Sequence, residues 1–103
     1  MKIDRSFTMP MDEAMERLGA LSDYWLAKYG VSVTWDGQTG RVMGKVRGVK
    51  FDGQIRVEPG RLTADIQAGF LAERLGGKKY VEGKLDDYLN PAHTMEELRA
   101  RVP

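Results

Sequence analysis

The sequence predicts a two-layer α+β domain, an antiparallel β-meander sheet with helices packed on one face, in the order β-α-β-β-β-β-α. Three observations point there. Apolar residues alternate with polar ones in five short runs, as strands with one buried face require. One long segment instead carries apolar residues at three- and four-residue steps, the period of an amphipathic helix. Between the middle runs stand Asp36-Gly37, Arg47-Gly48 and Pro59-Gly60, spaced closely enough to demand hairpins.

Taken in order, Ile3, Arg5 and Phe7 alternate with Lys2, Asp4 and Ser6, which predicts a first strand over residues 2–8. A helix follows, with Pro10 in its first turn and Asp12 and Glu13 where the helix dipole favours negative charge. Met11, Met15, Leu18, Leu21, Trp25 and Tyr29 form its apolar stripe, and Gly30 closes it. Val31, Val33 and Trp35 mark the next strand. Val42, Gly44 and Val46 share one parity, whereas Val49, Phe51, Ile55 and Val57 share the other. The chain therefore turns over at Arg47-Gly48, and a tight turn there sets Lys45 opposite Lys50 and Arg41 opposite Gln54. Pro59-Gly60 is type II by its chemistry, and Leu62, Ala64, Ile66 and Ala68 trace the last strand.

Gly76-Gly77 interrupts or begins the last main helix, whose buried stripe is Val81, Leu85 and Tyr88 or Leu89, and Asn90-Pro91 ends it. Thr94-Met95-Glu96-Glu97 is a capping box that predicts a short, weakly held helix within 95–102. The expected organisation is one domain over residues 1–90 with a tail over 91–103.

Composition narrows the class. With 42% hydrophobic and 30% charged residues, the 103-residue chain is an ordinary globular domain. There is no cysteine, which removes disulfides, thiolate metal sites and thiol nucleophiles, and suits a reducing compartment. No apolar run is long enough for a membrane span, and the start lacks an apolar leader core, so a cytoplasmic protein is expected. A net charge of +1 gives no global pull towards polyanions or membranes.

No catalytic residue, metal site or cofactor is expected. His93 is the only histidine, and its nearest carboxylates, Asp86 and Asp87, are expected on a solvated helix face. Ser6, Ser22 and Ser32 lack the context of a hydrolase nucleophile, and Gly76-Gly77-Lys78-Lys79 lacks the spacing of a phosphate loop. Three surfaces remain. The sheet face opposite the helices gathers Arg41, Lys45, Lys50 and Arg56, a basic face that an anionic partner could use. No aromatic residue interleaves with these cations, which disfavours single-stranded nucleic acid. Met15, Trp25, Trp35 and Phe51 are large enough to wall a pocket between the first helix and the sheet. Phe70, Leu71 and Leu75, where the chain leaves the sheet, and Leu98 on the terminal helix, form a candidate apolar interaction patch. Core packing or a homodimer contact is the competing use of that patch.

The middle of the chain carries a resemblance. Its residues are Gly30-Val31, Trp35-Asp36-Gly37, Phe51-Asp52-Gly53-Gln54-Ile55-Arg56-Val57, Gly69-Phe70-Leu71 and Leu85-Asp86-Asp87-Tyr88-Leu89. This pattern resembles the small bacterial family of polyhydroxyalkanoic acid system proteins, encoded near genes for polyhydroxyalkanoate granules, over residues 3–90. The resemblance implies a role in storage-polymer metabolism and supplies no catalytic residues. The expected function is that of a non-enzymatic accessory protein, placed in the cytoplasm or at storage granules. It would bind a granule-associated protein or the granule surface, with no membrane partner. The alternatives are a carrier or enzyme for an acyl or other apolar ligand, and an anion or nucleic-acid binder. The strand order is also similar to a reduced helix-grip, START-like architecture.

Overall fold

Turn chemistry sets the register of the sheet. In the computed structural model, which describes residues 1–69, 72 and 74–103, Arg47 and Gly48 both take positive φ, 50° and 82°. That is the twist a two-residue hairpin prefers. It pairs Val46 with Val49, Lys45 with Lys50 and Arg41 with Gln54, the register expected from the parity switch. Gly60, at φ 76°, fills the left-handed position that a type II turn needs after Pro59.

The described residues contain five strands: β1 Lys2–Ser6, β2 Ser32–Asp36, β3 Thr39–Val46, β4 Val49–Glu58 and β5 Arg61–Gln67. All pair antiparallel, in the order β1-β5-β4-β3-β2. The middle is thus the predicted meander, and β1 returns to lie beside β5. One helix, α1 Met11–Tyr29, carries the chain from the β1 edge across the sheet to the β2 edge. Pro10 caps α1 rather than joining its first turn, and Gly30, at φ 71°, ends it by donating to the Leu26 carbonyl. Two further helices are α2 Gly77–Tyr88 and α3 Met95–Arg99.

The core lies between this helical layer and the inner sheet face. Leu18, Leu21 and Trp25 of α1 are buried with Ile55 and Val57 of β4 and Leu62 and Ile66 of β5. Burying each such side chain contributes roughly 1.5–3 kcal/mol. Glycines on the inner face leave room for groups of the neighbouring strands. A Cβ at Gly53 would sit 2.4 Å from the Asp65 carbonyl oxygen, and one at Gly40 would touch the Trp35 indole.

Two expectations about the tail are corrected here. Leu98 is fully buried, so it is a core residue and not part of a surface patch. The terminal helix is also tied down. Thr94 accepts from the Glu97 N–H, Arg99 pairs with Glu16 of α1, and Arg101 pairs with Asp87 of α2. The physical reason is that the tail returns across α1, where it buries Leu98 and brings the His93 carbonyl to Arg17.

Candidate functional site

Beneath the tail, α1 carries a buried cation that no pattern in the sequence announces. The Arg17 guanidinium is 3% exposed, and its N–H groups donate to the carbonyls of Tyr88 (3.2 Å), Asn90 (2.9 Å) and His93 (2.5 Å). Its fourth partner is the Glu13 carboxylate at 3.2 Å, one turn back on the same helix. The planar fork of arginine suits this task, because one side chain satisfies three carbonyls where a helix ends and a loop begins. No spacing in the sequence reveals such a clamp, since the carbonyls lie 71 to 76 residues away.

His93 sits between two carboxylates. Its Nε2 is 2.9 Å from Asp87 and its Nδ1 faces Glu97. Partners on opposite edges of one ring do not converge on a shared point, as metal ligands must. Among the described residues no group of acidic and histidine side chains could hold a metal ion. Burial pushes the Asp87 carboxyl up, but Arg101, His93 and Lys84 together hold it below its ordinary value. The cluster is a fastening for the tail.

The other end of the helical layer is open. Between α1, the inner sheet face and the start of α2 lies a cleft of about 270 Å³. Trp25 and Tyr29 of α1 form one wall, and Val42, Val46, Phe51 and Ile66 of the sheet form the floor. Leu75, Gly76, Gly77, Tyr80 and Val81 close it from the α2 side. The lining is almost wholly apolar. Its main polar feature is the Tyr80 hydroxyl, which accepts from the Trp25 Nε1 at 3.3 Å. Burial raises the Tyr80 pKa above the ordinary phenol range, and a hydrogen bond with Tyr29 adds to that, while the Trp25 donation opposes it. Tyr80 therefore stays neutral at physiological pH. Leu75 stands 84% exposed beside the cleft.

Of the four residues predicted to wall a pocket, the structure brings Trp25 and Phe51 together there. Met15 and Trp35 are half-buried against the core and do not line it. Trp35 instead lies over Gly40 and donates from its indole nitrogen to Ser22. Of the predicted patch, Leu75 is exposed, Leu98 is buried, and Phe70 and Leu71 lie outside the described residues.

The predicted basic face is placed as expected, with Arg41, Lys45, Lys50 and Arg56 all exposed, but it is not uniformly basic. Arg41 pairs with Asp52 at 2.8 Å, and Arg61 pairs with Asp4. Asp65 and Glu58 stand beside Gln54 and Arg61 across the β4–β5 ladder. Among the described residues Lys45, Lys50 and Arg56 have no carboxylate partner, and at the β3–β4 hairpin end Lys45 directly faces Lys50.

A family model described as "Putative polyhydroxyalkanoic acid system protein" matches residues 1–92, which takes in the whole sheet, α1 and α2. The chain belongs to this family. The match reaches every element that walls the cleft and stops just short of His93 and the terminal helix. No curated protein and no solved structure matches the chain. Among the described residues, no helix is long and apolar enough to cross a membrane.

Proposed function

We propose that this polyhydroxyalkanoic acid system protein is a non-enzymatic accessory factor that works by binding, with the open cleft end as its contact surface. Its partner is a granule-associated protein or the surface of the storage granule. The observation that carries the reading is the exposed apolar rim, with Leu75 at 84% and Tyr80 at 40% exposure beside a cleft lined by Phe51, Val46 and Trp25. Contiguous apolar surface of this kind on a small domain marks an interaction site. The test is co-fractionation with polymer granules from producing cells. A Leu75→Ser, Tyr80→Ser double variant, first shown to be folded, is expected to leave the granule fraction. Unchanged co-fractionation would sink the cleft end as the contact.

A second reading is favoured by the cleft's position between α1 and the sheet. At about 270 Å³ it falls just below the range of drug-sized sites and suits a short aliphatic chain. In that case the protein carries an acyl ligand. Titration with medium-chain alkanoates should then perturb the fluorescence of Trp25, and a flat titration in a Trp35→Phe background would exclude it.

A further inference from the structure

Formal net charge hides a separation of charges along this molecule. At the tail end every arginine has an acidic partner. Arg5 pairs with Glu82 and Asp86, Arg17 with Glu13, Arg99 with Glu16 and Arg101 with Asp87. At the cleft end the pattern reverses. Lys45, Arg47 and Lys50 lie on the β3–β4 hairpin, and Lys78 and Lys79 follow Gly77 into the first turn of α2. All five are exposed, and none has a carboxylate partner among the described residues. Residues 40–51 and 74–81 contain no Asp or Glu at all.

These cations share the end of the molecule at which the apolar opening lies. Lys45 and Lys50 project from the outer sheet face, on the far side of the β3–β4 hairpin from the cleft, Arg47 sits in the hairpin turn, and Lys78 and Lys79 open α2. Val46, between Lys45 and Arg47, and Phe51, next to Lys50, line the cleft together with Gly76, Gly77 and exposed Leu75. An apolar mouth at a cationic end of the molecule is complementary to one kind of surface, an interface with anionic headgroups over aliphatic chains. Leu75 and the cleft lip would enter the chains, and lysine stems would lie along the boundary with their ammonium groups at the headgroups. A purely polyanionic partner would have no use for the exposed leucine. A purely apolar one would be opposed by five hydrated charges.

We propose that the cleft end docks on an anionic lipid surface, with Lys45, Arg47, Lys50, Lys78 and Lys79 as its basic groups and Leu75 as the apolar anchor. The proposal rests on the reading that the cleft end is the contact surface, and it names what that surface touches. Docking is peripheral, since no described helix could span a bilayer.

The test is sedimentation of the full chain with vesicles of phosphatidylcholine alone, or of phosphatidylcholine and phosphatidylglycerol in equal parts. Retention is expected on the mixed vesicles at low salt, with release at high salt and little retention on phosphatidylcholine. Each basic side chain near such a surface is worth about fivefold in partitioning, so Lys45→Gln, Lys50→Gln should lower retention about 25-fold. Leu75→Ser should lower it at constant charge, while Arg99→Gln, at the paired end, should leave it unchanged. Equal retention on neutral vesicles, or full retention of the Lys45, Lys50 variant, would overturn the proposal. If neither vesicle retains the protein while granules still do, the partner is a granule protein or the polymer itself, and the lipid assignment fails alone. If granule co-fractionation also survives Leu75→Ser, Tyr80→Ser, the underlying reading fails with it.

Discussion

At one end of the helical layer Leu85, Tyr88 and Leu98 are sealed from solvent and Arg17 is spent on backbone carbonyls. At the other, Tyr29, Val46 and Phe51 are only half-buried and Leu75 stands almost free. The two ends share the same sheet and the same two helices. What differs is the tail. Residues 93–101 fold back over the first end with a buried leucine and ion pairs from Arg99 and Arg101. Nothing among the described residues covers the second to the same degree. A domain this small buries only about 60–70% of its unfolded surface, so where the tail packs decides which apolar residues stay available.

The sharpest way to break this contrast is to open the closed end. Arg17→Met keeps bulk and removes every donor, leaving the carbonyls of Tyr88, Asn90 and His93 without their buried partner. We expect a loss of about 4 kcal/mol in urea unfolding, and Arg17→Lys should recover only part, because a single ammonium cannot reproduce the fork. A loss below about 1 kcal/mol would mean the clamp is not what holds the loop. Leu98→Ala comes next. A fully buried leucine truncated to alanine should cost about 3 kcal/mol, whereas a frayed tail would show almost no change.

Acid should act on the same end, more weakly. The Arg5 hydrogen bond holds the Asp86 carboxyl below its ordinary value, and Asp87 is also depressed, its burial outweighed by Arg101, His93 and Lys84. Depressed carboxylates contribute stability that is complete above the unfolded value near pH 4 and is lost as pH falls through the folded values. Both side chains are a third or more exposed, so screening keeps the combined effect below about 1 kcal/mol. Asp86→Asn, Asp87→Asn should therefore flatten the decline of stability below pH 4 and lower stability slightly at pH 7. A steeper decline in the variant would contradict the pairing.

Much of the fold was legible because it is written in local chemistry. Parity alone placed Val42 and Val57 on the inner face, and the Arg47-Gly48 turn alone gave Lys45 opposite Lys50. The site was legible by half. Alternation says which face Trp35 shares with Phe51, but not how far along the helix each one lies. So the sequence could not tell that Trp25 and Phe51 meet at the cleft while Trp35 packs over Gly40. Arg17 goes unmarked in the sequence, and Leu98 reads as surface, for a related reason. An arginine in a polar stretch and a leucine in a five-residue helix both look peripheral until partners distant in the chain close over them.

The central claim is that the open end, and not the closed one, meets the partner. The chain has no cysteine, so a single introduced one can carry an environment-sensitive fluorophore. Leu75→Cys places it at the cleft rim and Glu96→Cys on the exposed side of the terminal helix, each at a stability cost within about 0.5 kcal/mol. On mixing with purified granules, the account predicts a blue shift from the probe at position 75 and none from the probe at position 96. A shift at position 96 with position 75 unchanged would contradict it.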